Sequence, residues 1–218
     1  MSEKVGGSSE KGVENYLEEK YGKDFVIERV AFGYFWYYMK DEPQYHYKGR
    51  FGNKEDDGED YQEYNEAFYS NRNCRILSDY INEKLKEKNS NQLVHISLIG
   101  DKSRSDYEKY DISVEELLKS KTRTRISMYL CFPEKIGDIN SETIKNTAYY
   151  IYNIFYEYNS EIEIVNNVYI FSDEDFPRVE KYFKESGDPV SSEFRNLTND
   201  FTIISDEKIF IRNGSIIN

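Results

Sequence analysis

The sequence predicts an α+β fold, with helices packed against an antiparallel or mixed sheet. Some stretches space apolar residues three and four apart, and others alternate apolar with polar residues. The two kinds follow one another irregularly, through meanders and hairpins, without the regular strand-helix repeat of a doubly wound parallel sheet. At 218 residues, with 38% hydrophobic side chains, the chain holds one large domain or two small ones. The expected organisation is a tether over 1–12, an N-terminal α+β half over 13–100 and a C-terminal α+β half over 101–218. These are either two similar halves or one continuous domain.

The tether, MSEKVGGSSEKG, is too polar and glycine-rich to offset the entropy of ordering it. Val13, Tyr16, Leu17, Lys20 and Tyr21 then recur at helical spacing, with Glu14, Glu18 and Glu19 between them, and Gly22 stands where a left-handed cap ends a helix. From Phe25 the period changes to two. Gly33 and the turn Asp41-Glu42-Pro43 set off two further strands, over 34–39 and 44–51. A long helix is expected over 61–88, closing with Lys84, Lys86 and Lys88 at its cation-favouring end, and a strand with Val94, Ile96 and Leu98 inward and His95 on its polar face.

The polar run 101–111 is the expected seam. Ser113 with Glu116 forms a capping box before a short helix, and 123–132 alternates as a strand closed by Pro133. Ser141 opens a helix to Tyr158 that leads into a strand over 161–171. The join at Tyr158-Asn159 parallels Tyr21-Gly22, because asparagine and glycine best tolerate a left-handed cap; this is either a weak duplication or ordinary helix-to-strand chemistry. A helix over 173–187 buries Phe176, Val179, Tyr182 and Phe183, and a hairpin turning at Ser205-Asp206-Glu207 completes the chain.

A net charge of −12 and a pI near 4.8 oppose nucleic acid as a partner, since phosphate neutralisation needs clustered Lys and Arg. Such an acidic surface serves solubility, or meets a basic protein or a cation. No run reaches the ~20 apolar residues of a membrane span. Cys74 and Cys131 have no metal spacing and fit small buried hydrophobes, a disulfide between them being the alternative in an oxidising compartment. His46 and His95 have no second ligand at metal spacing, and His46 would serve acid–base chemistry only beside a carboxylate. Asp173 with Asp175 and Glu161 with Glu163 are acidic pairs of the kind a glycosidase uses, and alternation more simply places them at a helix start and on a wet strand face. No cofactor is implied, and a non-enzymatic protein is expected.

The 21 tyrosines are more informative. Tyr34, Trp36 and Tyr38 share one face of a strand, and Phe35 and Tyr37 share the other. If one face is open, Tyr34, Trp36 and Tyr38, with Tyr45 or Tyr47, form a partner-binding patch rimmed by Glu55, Asp56, Asp57, Glu59 and Asp60; otherwise the rings pack under helices and only their tips show. As a calcium loop centred on Gly58, that acidic run places Asn53, Glu55 and Asp57 correctly but Tyr64 where a bidentate glutamate belongs. A calcium-dependent module or hydrolase using 55–63 is therefore the alternative function, and a structural cell-surface domain a third.

The stretch YLEEKYGKDFVIERV, with Tyr16, Leu17, Lys20, Tyr21, Gly22 and Phe25, resembles small lipoproteins and surface-attached proteins of low-GC Gram-positive bacteria over about the first ninety residues. The resemblance implies an extracytoplasmic location with a lipid anchor upstream and, in its sharpest form, an immunity protein that neutralises a toxin.

Overall fold

A computed structural model describes residues 9–56, 59–65, 68–88, 90–100, 113–119, 125–134, 139–185 and 203–217, with side chains described except at 52–65, 68–70, 98–100, 118, 185 and 203–207. The fold is α+β, and it divides into two compact units: Met1–Phe68 with Lys184–Asp188, and Tyr69–Phe183 with Pro189–Asn218. The expected seam at 101–111 lies outside the described residues.

The first unit opens with α1 (Glu10–Tyr21). Its first turn reaches back into the expected tether, because the Ser9 side chain caps it by accepting the Gly12 N–H at 3.1 Å. Gly22, at φ 63°, closes it and donates to the Glu18 carbonyl at 2.8 Å. Four antiparallel strands follow in sequence order: β1 (Phe25–Ala31), β2 (Tyr34–Met39), β3 (His46–Asp56) and β4 (Glu59–Asn65). Alternation directs Phe35, Tyr37 and Met39 inward, where they are buried together with Phe25, Tyr47, Val13 and Leu17. The core is a chain of rings, with centroids 5.8 Å apart for Phe25–Tyr37, 5.6 Å for Tyr37–Tyr47 and 5.1 Å for Phe35–Phe51. Phe35 bridges to Phe51 over Gly49, where an added Cβ would lie 2.0 Å from the Phe35 ring.

Residues 61–65, expected to begin a helix, are in β4. The β3–β4 pairing runs from Arg50↔Asn65 to Asp56↔Glu59, leaving the dipeptide Asp57-Gly58 between the strands. The segment read as a calcium loop is thus largely a two-stranded ladder. It extends beyond the last β2 pair, Tyr34↔Arg50.

The second unit contains α2 (Phe68–Glu87, from Tyr69 on), β5 (Leu93–Gly100), α3 (Val114–Leu118), β6 (Arg125–Pro133), α4 (Ser141–Tyr156), β7 (Glu163–Phe171), α5 (Phe176–Glu185, up to Phe183), β8 (Ile203–Arg212) and β9 (Ser215–Ile217). Its five described strands lie in sequence order, with β6 and β7 parallel and every other pair antiparallel. α4 makes the crossover that the parallel pair requires. Because β5 hydrogen-bonds to β6, the segment from Tyr69 to Gly100 belongs with the second half of the chain, not the first.

One sheet face packs Met128, Leu130, Ile164, Val168 and Ile211 against Leu77 and Ile81 of α2 and Ile151 and Phe155 of α4. The other packs Cys131 and Phe171 against Val179 and Phe183 of α5. His95, expected on a polar face, lies under α5 instead, its ring stacked on Phe183 at 4.5 Å and 9°. Cys74 and Cys131 are not joined in a disulfide and both are buried, and burial pushes the Cys131 thiol far up, so it stays protonated.

The two units are built differently, and their helix-to-strand joins differ too. Asn159 does not take the left-handed conformation of Gly22; its side-chain oxygen accepts the Glu161 N–H at 3.0 Å. Asn140, rather than Ser141, caps α4. β8 runs unbroken through 205–207, and the hairpin comes later, at Asn213-Gly214, where both residues have positive φ.

Candidate functional site

The face of the first sheet opposite its ring core carries the unusual chemistry. Strand register sets three rows across it: Val26–Tyr38–His46, Arg29–Trp36–Lys48 and Ala31–Tyr34–Arg50. Tyr34, Trp36 and Tyr38 are half-buried there. The register shift between Ile27 and Arg29 inserts one extra residue in β1, which brings Arg29 opposite Trp36.

The middle row is stacked. The Arg29 guanidinium lies 3.8 Å from the Trp36 ring centroid. The Lys48 ammonium lies 5.2 Å from the Trp36 ring and 4.2 Å from that of Tyr34, and the two rings are 6.2 Å apart. Cation–π pairs of this kind contribute ~0.5–1 kcal/mol each at exposed sites. Their larger effect is to hold the indole and both cations in fixed positions.

In the row beyond Trp36, His46 Nδ1 is 2.9 Å from a Glu28 carboxylate oxygen, and the imidazole meets Tyr38 edge-on at 5.5 Å. When Nδ1–H donates to Glu28, Nε2 is left as an acceptor. This is the histidine–carboxylate pairing on which acid–base use of His46 depends, and here it also orients the ring that closes the patch beside Tyr38.

At the other end, the β1–β2 turn is Phe32-Gly33, with φ of 53° and 80°. Phe32 is 97% exposed. A left-handed φ is unusual for any residue but glycine, asparagine or aspartate and costs a bulky side chain on the order of 1 kcal/mol.

Tyr34, Trp36 and Tyr38 are brought together as expected. Tyr47 is not with them: it pairs with Tyr37, so its side chain enters the core. Tyr45 is partly buried and precedes β3. Of the expected acidic rim, Glu55, Asp56, Glu59 and Asp60 are strand residues of the β3–β4 ladder, and Asp57 lies outside the described residues. The near neighbours of Trp36 are cations instead. Sequence inspection missed Arg29, Lys48, Phe32 and the Glu28–His46 pair; the legible signal was Phe32-Gly33 between two alternating runs, a two-residue hairpin loop that fixes the register and with it the rows.

Of the carboxylates at glycosidase-like positions, Glu163 and Asp175 are held in ion pairs. Glu163, almost fully buried, sits between Arg125 at 3.2 Å and Arg212 at 2.9 Å, and Asp175 receives Arg178 at 2.7 Å and the Ser172 hydroxyl at 3.1 Å. Among the described residues no group of three or more His, Cys, Asp or Glu is placed to hold a metal, and no helix is long and apolar enough to cross a membrane.

No protein-family model and no curated protein matches the chain. A solved structure of a DUF5037 family protein from Ruminococcus gnavus is similar at 17% identity, covering 93% of this chain and 91% of that one, with a TM-score of 0.48.

Proposed function

We propose that the chain is a non-enzymatic binding protein whose contact surface for a protein partner is the outer face of the first sheet. The observation that carries this is the row in which Trp36 is held between Arg29 and Lys48, with Tyr34 and Tyr38 half-exposed on either side. Tryptophan, tyrosine and arginine are the residues that dominate binding energy at protein interfaces, and they do so best when fixed before the partner arrives. In the sharper form of this proposal, suggested by the sequence resemblance, the partner is a secreted toxin.

The test is partner capture from lysate and culture medium on immobilised protein, compared with the Trp36→Ala, Tyr38→Ala double variant. A protein recovered stoichiometrically by the wild type and lost by the folded variant supports the proposal. Equal recovery by both removes the assignment of this face. A toxin recovered in the same way supports the sharper form.

A further inference from the structure

Two features of the outer face bear on what the partner must look like. The first is Arg29. Stacking on Trp36 covers one face of the guanidinium but leaves its N–H edge available, and among the described residues Arg29 makes no hydrogen bond or ion pair. Among the described residues the side chain of Arg50, exposed in the next row, makes none either. The second is Phe32, a fully exposed ring at the turn three residues from Arg29, about 10 Å along the strand. A residue that packs against nothing and sits at an unfavourable φ does not serve stability, which points to a binding role.

The charge distribution selects the partner. In a chain of net charge −12, the rows beside Trp36 carry Arg29, Lys48 and Arg50. Glu28 of β1 is taken by His46, and the β3–β4 ribbon carries Glu55, Asp56, Glu59, Asp60 and Glu63 beyond the last β2 pair. That ribbon continues past the Phe32 turn, so an anionic bilayer approaching the turn end-on meets acidic strands first. A second copy of the chain brings another −12 of charge.

On the binding-surface reading proposed above, we infer that Phe32 and Arg29 form a two-point anchor for an acidic protein segment: the ring enters an apolar pocket and the guanidinium edge receives a carboxylate. The partner is thus acidic at this contact. This reverses the basic partner that net charge suggests.

Trp36, the only tryptophan, reports on the site directly. Its emission is titrated with an acetylated twelve-residue peptide alternating Glu and Leu, with the Lys–Leu and Gln–Leu counterparts, and with phosphatidylcholine vesicles containing phosphatidylserine. The Glu–Leu peptide is expected to shift the emission, with affinity falling about tenfold in Arg29→Gln and in Phe32→Asn and unchanged in Arg125→Gln, a charge control on the other sheet. Phe32→Asn supplies the dipeptide such a turn favours, so the variant is expected to melt about 2–4 °C higher while binding worse.

Equal affinity in the variants, a preference for the Lys–Leu peptide, a response to vesicles alone, or no response to any probe overturns the inference. The parent proposal stands or falls separately: Trp36-dependent capture of a basic protein would leave the binding surface intact and remove only the acidic partner.

Discussion

The two sheets spend their faces differently. In the second unit both faces of the central strands are covered, by α2 and α4 on one side and α5 on the other, and β7 buries seven of its nine residues. In the first unit only one parity of β2 is fully buried, and the other is held half-open. The cores differ as well, rings in the first against mostly aliphatic side chains in the second. A sheet covered on both sides places its side chains in packing. A sheet covered on one side has a second set of positions in fixed register, and here that set holds Trp36 and its cations. Stability should therefore respond most to changes in the covered sheet, and recognition to changes on the open one.

The largest expected effect breaks the covered sheet. Phe155 is 1% exposed in the core beneath α4, and Phe155→Ala should cost about 3–5 kcal/mol through lost transfer energy and the cavity left behind. Chemical denaturation with hydrogen exchange on β6 and β7 amides would measure it. A cost below ~1 kcal/mol would mean that this core is not the better packed of the two.

The matching change in the open sheet is Gly49→Ala. The new methyl would overlap the Phe35 ring, and because that ring is wedged between Tyr37 and Phe51, relief means shifting the ring core; about 1–3 kcal/mol is expected. Trp36 emission would follow this transition, since the indole lies on the same strand. An unchanged midpoint would show the ring core to be loosely packed.

These two sites also mark how much the sequence could disclose. α1, its glycine cap, β2 and the capping box of α3 follow from local patterns, and all were legible. The beginning of β4 was not, because Tyr61 and Tyr64 in an acidic run also fit helical spacing; Asp57-Gly58 was the signal that decides for a hairpin. The Asn213-Gly214 turn was overlooked in the same way. Tyr47 was assigned to the wrong face because strand parity is legible only within a strand, whereas which residue faces Tyr37 is set by the register between strands. Arg29 depends on a one-residue shift in β1, a non-local feature that composition does not disclose. His95 looked polar because α5, more than eighty residues later in the chain, supplies its cover.

A smaller effect separates the two sheets by pH. Burial, with the charge of Arg75 added, depresses His95 well below its ordinary value of 6.5. Above pH 6.5 the imidazole is neutral in both folded and unfolded chains, and its contribution is fully present. As pH falls below 6.5 the unfolded chain takes up a proton that the folded chain refuses, and stability is lost progressively until the lower folded value is reached. His95→Phe, which preserves a ring beside Phe183, should flatten the stability profile between pH 6.5 and 5, ahead of most carboxylates. The difference between wild type and variant isolates His95 from His46. Identical profiles would mean that the imidazole is not sealed beneath α5.

The smallest expected change in stability is at the residue placed at the centre of recognition. Arg29→Gln removes one cation from the Trp36 ring at a half-open site, and by the usual strength of such contacts it should cost only about 0.5–1 kcal/mol. The indole loses the plane that covers it, so its emission should move to longer wavelength even though the protein stays folded. A small cost together with that spectral shift would mean that Arg29 is held in place by Trp36 more than it holds the sheet together, as a group kept for a partner should be. A cost above ~2 kcal/mol would instead make the Arg29–Trp36 stack part of the scaffold, and the contrast between a sheet that stabilises and a sheet that recognises would no longer hold.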